Sequence, residues 1–261
     1  MPYAQVEVCA YSVESCRAAE SGGASWIELC ASPVEGGITP SAGLIQVARK
    51  STRLPICVMI RPRSGDFYYS EDEFEQMRAD LAVARQLGAD GVVLGLLNPD
   101  GAVDVPRTAT LVKLAYPLPV TFHRAFDMTA DFAQAIEAVI ETGCRRILTS
   151  GGQATAFEGR EILSELVQLA RARLEITAGS GVNADNAQAL LRTGVDALHL
   201  TGKSTRASAM LFRKPGLSMG GHADFPEYEL MFSDESKIRA VVDVTQRGAT
   251  NPLNKNVQTN P

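Results

Sequence analysis

Eight times along the chain a short apolar run ends in a polar cluster, and an amphipathic stretch follows. The runs end at Glu7-Val8-Cys9, Glu28-Leu29-Cys30, Ile60-Arg61-Pro62, Leu94-Gly95, Phe122-His123-Arg124, Thr149-Ser150-Gly151, Ala178-Gly179-Ser180-Gly181 and His199-Leu200-Thr201-Gly202. Runs of this length, rich in Val, Ile and Leu, are expected of strands buried on both faces of a parallel sheet. The pattern places them near Gln5–Cys9, Trp26–Leu29, Ile56–Arg61, Gly91–Gly95, Val120–His123, Arg146–Thr149, Glu175–Ala178 and Ala197–Leu200. Residues inside the runs hold a core, and residues at their ends are free for chemistry.

Helices are expected between the strands. Thr39-Pro40-Ser41 opens one, with proline near the first turn. Ser70-Glu71-Asp72-Glu73 carries a capping-box signature ahead of Phe74–Leu87. Gly22, Gly88, Gly143 and Gly194 follow helical stretches, where a left-handed cap favours glycine. A β-α unit repeated eight times without a break predicts a single (β/α)8 TIM barrel over residues 1–247, in preference to a doubly wound open sheet. Two segments leave the regular beat. Residues 203–233 read as a long loop ahead of a last helix at about Asp234–Gln246, and loops of that length are usually functional. The polar stretch 248–261 reads as a disordered tail.

Bulk properties narrow the function classes. The chain has 261 residues, 45% of them hydrophobic, enough for a full core. A net charge of −5 argues against a nucleic-acid partner. No run of 18 apolar residues predicts a membrane span, and Met1-Pro2-Tyr3-Ala4-Gln5 has neither the basic nor the apolar part of a secretory signal. The five scattered cysteines read as free thiols or metal ligands rather than a disulfide framework, with the cytoplasm as the default location.

Alternation along the strands points to the candidate chemistry. Val6, Val8 and Ala10 alternate with Glu7 and Cys9; Ile27 and Leu29 with Glu28 and Cys30; Ile56, Val58 and Ile60 with Cys57, Met59 and Arg61; Val120 and Phe122 with Thr121 and His123. If the aliphatic set faces the helices, the polar set faces the barrel axis. Buried carboxylates at Glu7 and Glu28 then need partners, and Arg61, His123 and Arg124 are the expected ones. Coupled carboxyls in such a setting suit general acid/base work, with Glu7 or Glu28 as acid or base and Arg61, His123 and Arg124 orienting a substrate. The same residues can form a purely structural network, and Arg124 with Asp127 can equally be a loop salt bridge. No lysine lies inside a predicted strand, which argues against Schiff-base chemistry.

Glycines gather after strands six to eight. Ser150 and Gly151, Gly179 and Gly181, and Gly202 with Lys203 are candidate anion-binding positions, or else simply tight turns. Gly202-Lys203-Ser204 is not a P-loop, because Ala197 stands where its first glycine is required, and Gly179-x-Gly181-x-x-Ala184 is too weak a dinucleotide fingerprint to use. Cys9 and Cys30 end adjacent strands and suit a soft ion, although they lack local CxxC spacing and buried cysteine is often only packing. Cys16 and Cys144 read as packing residues.

Several phrases resemble the CutC family, called copper homeostasis proteins. They are Glu7-Val8-Cys9; Ile27-Glu28-Leu29-Cys30 with Gly36-Gly37-Ile38-Thr39-Pro40-Ser41; Met59-Ile60-Arg61-Pro62-Arg63 with Gly65-Asp66-Phe67; Phe122-His123-Arg124-Ala125-Phe126-Asp127; and Leu148-Thr149-Ser150-Gly151-Gly152. The resemblance implies a cytoplasmic TIM barrel that forms a homo-oligomer, a dimer or tetramer, with a copper role. It implies Cu(I) as the metal, with Cys9 and Cys30 in the places of the two cysteines put forward as its ligands in that family. No organic cofactor is expected. The rival expectation is an enzyme acting on a small phosphorylated or carboxylated metabolite.

Overall fold

The computed structural model describes residues 4–217 and 226–250, with side chains up to Arg247. Eight strands close in sequence order into a parallel barrel: β1 (Gln5–Ala10), β2 (Trp26–Leu29), β3 (Ile56–Met59), β4 (Gly91–Leu94), β5 (Val120–Phe122), β6 (Arg146–Thr149), β7 (Glu175–Gly179) and β8 (Ala197–Leu200). Closure is made by β8 pairing with β1, Glu7 opposite His199. Helices α1 (Val13–Ser21), α2 (Ala42–Ser51), α3 (Glu71–Gln86), α4 (Val105–Ala115), α5 (Phe132–Thr142), α6 (Arg160–Ala170), α7 (Ala184–Leu191) and α8 (Glu235–Thr250) follow the strands in turn. The protein is a (β/α)8 TIM barrel. Helix α3 starts at the capping box read from sequence, with Ser70 and Glu73 each accepting the other's backbone N–H.

The alternation sorts the barrel as expected. Val6, Val8, Ala10, Ile27, Leu29, Ile56 and Val58 join the large core between sheet and helices. Cys9, Cys30, Cys57, Met59 and Val93 form a separate buried cluster with Trp26 and Tyr11 packed on it. The inner wall is therefore sulfur-rich and partly charged, unlike the branched-aliphatic filling usual in such barrels.

One element departs from the sequence reading. Residues 203–233 are not a plain loop: β9 (Lys203–Ala207) and β10 (Glu229–Ser233) pair antiparallel as a two-stranded arm. The arm is fastened to α1 by the Arg206–Glu14 ion pair and by Ser233 N–H donating to Ser15 Oγ at 3.1 Å. The last helix runs to Thr250, and the rest of the expected tail, 251–261, lies outside the described residues. Among the described residues no helix is long and apolar enough to cross a membrane.

Candidate functional site

The strands end in a cavity of about 970 Å³, lined among others by Cys9, Glu28, Arg61, His123, His199 and Lys203. Its position at the carboxyl ends of a parallel barrel is where side chains from different strands converge. Glu28 and His199 are buried on its wall, and Glu7 is buried behind them, against His199.

These three residues form one chain of contacts. His199 Nδ1 lies 2.9 Å from Glu7 Oε2, and His199 Nε2 lies 3.3 Å from Glu28 Oε2. Arg146 Nη1 stands 3.6 Å from Glu7 Oε1, an ion-pair but not a hydrogen-bond distance, and Glu7 Oε1 completes no hydrogen bond. Arg146 also lies over the Trp26 ring, 5.8 Å away, and pairs with Glu175. Burial disfavours charge on Glu7, but the His199 hydrogen bond and the charges of His199 and Arg146 outweigh it and hold that carboxyl below its ordinary value. Burial pushes the Glu28 carboxyl up to about 8, against the pull of His199 and with the help of Cys9 and Glu7. Burial also opposes charge on His199, yet Glu28, Cys9 and Glu7 together hold it well above the usual imidazole value. The three compose a buried carboxyl–imidazolium–carboxylate array.

The expected partners were different. Among the described residues Arg61, His123 and Arg124, the expected partners, make no hydrogen bond or ion pair with Glu7 or Glu28; His199 and Arg146 do. Both have the inward parity of Glu7 on their own strands. What period-two reading lacked was barrel closure, which brings a residue 192 positions away beside Glu7.

The two thiols do meet. Cys9 Sγ and Cys30 Sγ are 3.7 Å apart, and Cys30 Sγ is 3.6 Å from Glu28 Oε1. Cys9 lies opposite Glu28 in the strand register, so the sulfurs approach diagonally, one residue pair apart on the same face. The Cys30 hydrogen bond, working against burial and aided by His199 and Tyr11, holds the Cys9 thiol down to about 5. Burial pushes Cys30 well above the usual thiol value, and Cys57, opposite Glu28 on β3, likewise. Cys16 and Cys144 sit in the outer core, as expected of packing residues.

Arg61 ties two loops together instead of meeting a carboxylate. Its Nη1 donates to Glu35 O at 2.7 Å and Gly37 O at 2.9 Å, and its Nη2 to Gly65 O at 3.0 Å. His123 Nδ1 accepts the Ala125 N–H at 3.1 Å. That position explains Gly95, since a Cβ there would lie 2.5 Å from His123 Nδ1. Burial, then the Arg61 charge, lowers the His123 imidazole to about 3 from 6.5. Between those values the unfolded chain takes up a proton that the native ring refuses, so stability falls with pH below the unfolded value and returns as pH rises. His123→Phe removes this linkage. The stability difference between wild type and variant is expected to shrink by about 2 kcal/mol between about pH 7 and about pH 5. Urea unfolding at both pH values checks this; an unchanged difference would mean that the native ring is protonated.

Asp127 and the loop after β6 also depart from expectation. Asp127 Oδ1 accepts from Thr149 Oγ1 at 2.5 Å and from Gly152 N–H at 3.0 Å, Ser150 N–H lies 3.1 Å from both carboxylate oxygens, and Arg124 Nε pairs with Oδ2 at 2.7 Å. Gly151 N–H donates to Thr149 Oγ1. A protein carboxylate already fills this cradle, so Ser150 and Gly151 have no N–H left for an external anion, and Asp127 with Arg124 makes the loop salt bridge. Gly179 is a packing glycine: its Cβ would lie 2.6 Å from Leu148 Cδ1. Gly181, Gly202 and Lys203 do line the cavity. The N-terminus of α7 beside them is closed by its own cap, Asn183 accepting the N–H groups of Asp185 and Asn186.

The CutC family model matches residues 4–204. A Mus musculus protein named copper homeostasis protein cutC homolog is 44% identical over 237 residues, covering 90% of this chain and 87% of its own. A family protein CutC of Vibrio vulnificus (strain YJ016) is 48% identical over 241 residues, covering 91% of this chain and 96% of its own. A crystal structure from Streptococcus agalactiae, described as a copper homeostasis protein CutC, superposes with a TM-score of 0.72 at 33% identity, over 76% of this chain and 98% of that one. A thiamine phosphate pyrophosphorylase from Pyrococcus furiosus, 18% identical with a TM-score of 0.57, shares the fold alone.

Proposed function

The chain belongs to the CutC family, and from that premise we propose that it binds a monovalent copper ion between Cys9 and Cys30. The observation that carries this reading is the 3.7 Å separation of the two buried sulfurs, of which Cys9 lines the cavity. One ion with thiolate contacts of about 2.3 Å can bridge that span without moving either strand. The donor set is soft, as Cu(I) prefers, with Glu28 and Tyr11 close enough to complete the site. Binding deprotonates Cys30, whose thiol burial holds well above its ordinary value, so copper uptake releases a proton. The reading places the protein in the cytoplasm, where thiols stay reduced. It also makes the protein a homo-oligomer, a dimer or tetramer, and the exposed Met210, Leu211 and Phe212 on the arm give such an assembly an apolar surface to use.

Competition against a Cu(I) chelator tests the proposal. The double variant Cys9→Ser/Cys30→Ser is expected to bind at least about a hundredfold more weakly, since hard hydroxyls replace both soft donors. Equal affinity in the two proteins would remove the reading.

A second reading draws on the size of the cavity. A space of about 970 Å³ far exceeds one ion and falls in the range of small-molecule sites. Glu28 and His199 open onto it and lead back to Glu7. We infer from this an enzyme acting on a small anionic metabolite, with Glu28 as the proton-handling group facing the ligand.

A further inference from the structure

Arg61 is a buried cation with no anion to balance it. It is 6% exposed, its three hydrogen bonds all go to backbone carbonyls, and no carboxylate pairs with it among the described residues. Its Nε completes no hydrogen bond; the Tyr69 hydroxyl beside the guanidinium is uncharged and leaves the positive charge uncompensated. Buried charges are otherwise found paired, because an isolated one forfeits several kilocalories of hydration.

His123 adds a second incomplete group on the same wall. It is 4% exposed and its Nε2 is buried without a partner. Because Nδ1 accepts the Ala125 N–H, the proton of the neutral ring sits on Nε2, which makes the orphaned atom a donor. Among the described residues with an unpartnered buried side-chain nitrogen or oxygen, only Arg61 and His123 line the large cavity. Phe67 holds the two together, its ring 5.1 Å from Arg61 Cζ and 5.0 Å from the His123 ring. Pro33, Val34 and Met59 line the cavity around them.

We propose that Arg61 and His123 form a carboxylate-binding subsite, and that the ligand of this cavity is a small organic acid whose carboxylate neutralises Arg61 and accepts a hydrogen bond from His123 Nε2. The proposal rests on the second reading above and deepens it, because it names the ligand class and moves the anion away from the glycine-rich loops. One guanidinium balances one carboxylate. A phosphate dianion would leave a charge unmatched on this wall, since the neighbouring Arg124 is already paired with Asp127 and the cavity's lysines, Lys203 and Lys237, belong to the segments beyond β8. Arg61 and His123 stand just past the ends of β3 and β5, and Glu28 and His199 on β2 and β8 line the same cavity.

The test uses the full chain, ring-¹⁵N labelled at histidine, titrated separately with pyruvate, lactate, succinate and inorganic phosphate. At least one carboxylate is expected to raise the melting temperature and to move the His123 Nε2 resonance saturably. His123→Phe keeps the ring against Phe67 and is expected to weaken that acid at least about tenfold, as loss of a hydrogen bond to a charged acceptor does. Arg61→Gln is expected to weaken it further; if that variant fails to fold, the resonance shift and His123→Phe still decide. Arg173→Gln, on the outside of the barrel, controls for bulk charge. Phosphate that binds while His123 stays unmoved would overturn the subsite and leave an anionic-metabolite reading in place. A carboxylate that binds equally well to His123→Phe would overturn the subsite alone. Absence of binding by every probe would overturn both.

Discussion

Replacing Glu7 with alanine is expected to destabilise the protein by about 3–5 kcal/mol, the usual cost of removing one partner from a buried ion pair. The effect is large because Glu7 is 1% exposed and faces two cations, His199 at 2.9 Å and Arg146 at 3.6 Å. Its removal leaves both charges largely buried, with Glu28 beside His199 and Glu175 beside Arg146 as the carboxyls that still pair with them among the described residues. For a chain of this size each kilocalorie corresponds to about 2–4 °C of melting temperature, so a drop of roughly 10 °C is expected. Glu7→Gln keeps the shape and removes the charge, and should fall between wild type and alanine. Thermal and denaturant unfolding of both variants measure this. A loss below about 1 kcal/mol from Glu7→Ala would mean that His199 is neutral in the folded protein and that the array is held by packing.

Asp127→Ala is the second large effect, expected at about 3 kcal/mol from several charge-assisted hydrogen bonds lost together. Asp127 is 6% exposed at its side chain and receives Thr149, Ser150, Gly152 and Arg124 at once. Without the carboxylate, the Ser150 and Gly152 N–H groups lose their acceptor, and the turn after β6 loses what closes it. Asp127→Asn should recover only part of the loss, because its amide nitrogen meets donors where an oxygen stood. Hydrogen exchange at Ser150 and Gly152 is expected to accelerate in both variants. A carboxylate that served only an incoming ligand would leave melting temperature and exchange unchanged in the free protein.

Much of this was legible in the chain, and the rest was not for identifiable reasons. Trp26–Leu29, Arg146–Thr149 and Ala197–Leu200 were bounded correctly because buried parallel strands are short apolar runs cut off by glycine or polar residues. Glu7, Cys9, Glu28 and Cys30 could be turned inward from parity alone, because Val6, Val8, Ile27 and Leu29 require the helix-facing side. The partners of the glutamates were out of reach. Parity says which face a residue takes, not which strand stands beside it or at what stagger, so His199 and Arg146 became visible only once β8 met β1. The role of Gly95 is not legible in the chain because it consists in leaving room for His123. The Asp127 cradle was obscured because the same glycine-rich signature serves an external phosphate or an internal carboxylate equally well. The arm escaped because Lys203-Ser204-Thr205-Arg206-Ala207 has no buried face and hence no alternation to read.

The arm leaves the barrel after β8 and returns at α8, and its two ends touch: Asp234 N–H donates to Gly202 O at 2.8 Å. A segment that departs and re-enters at one point adds little to the geometry of what it interrupts. Its length can change, or its tip be exchanged for another peptide, while the eight strands keep their register. The family match ends at residue 204, where this excursion begins. Residues 203–233 are thus a natural place to insert a reporter domain, beside the cavity mouth yet outside the sheet that forms it.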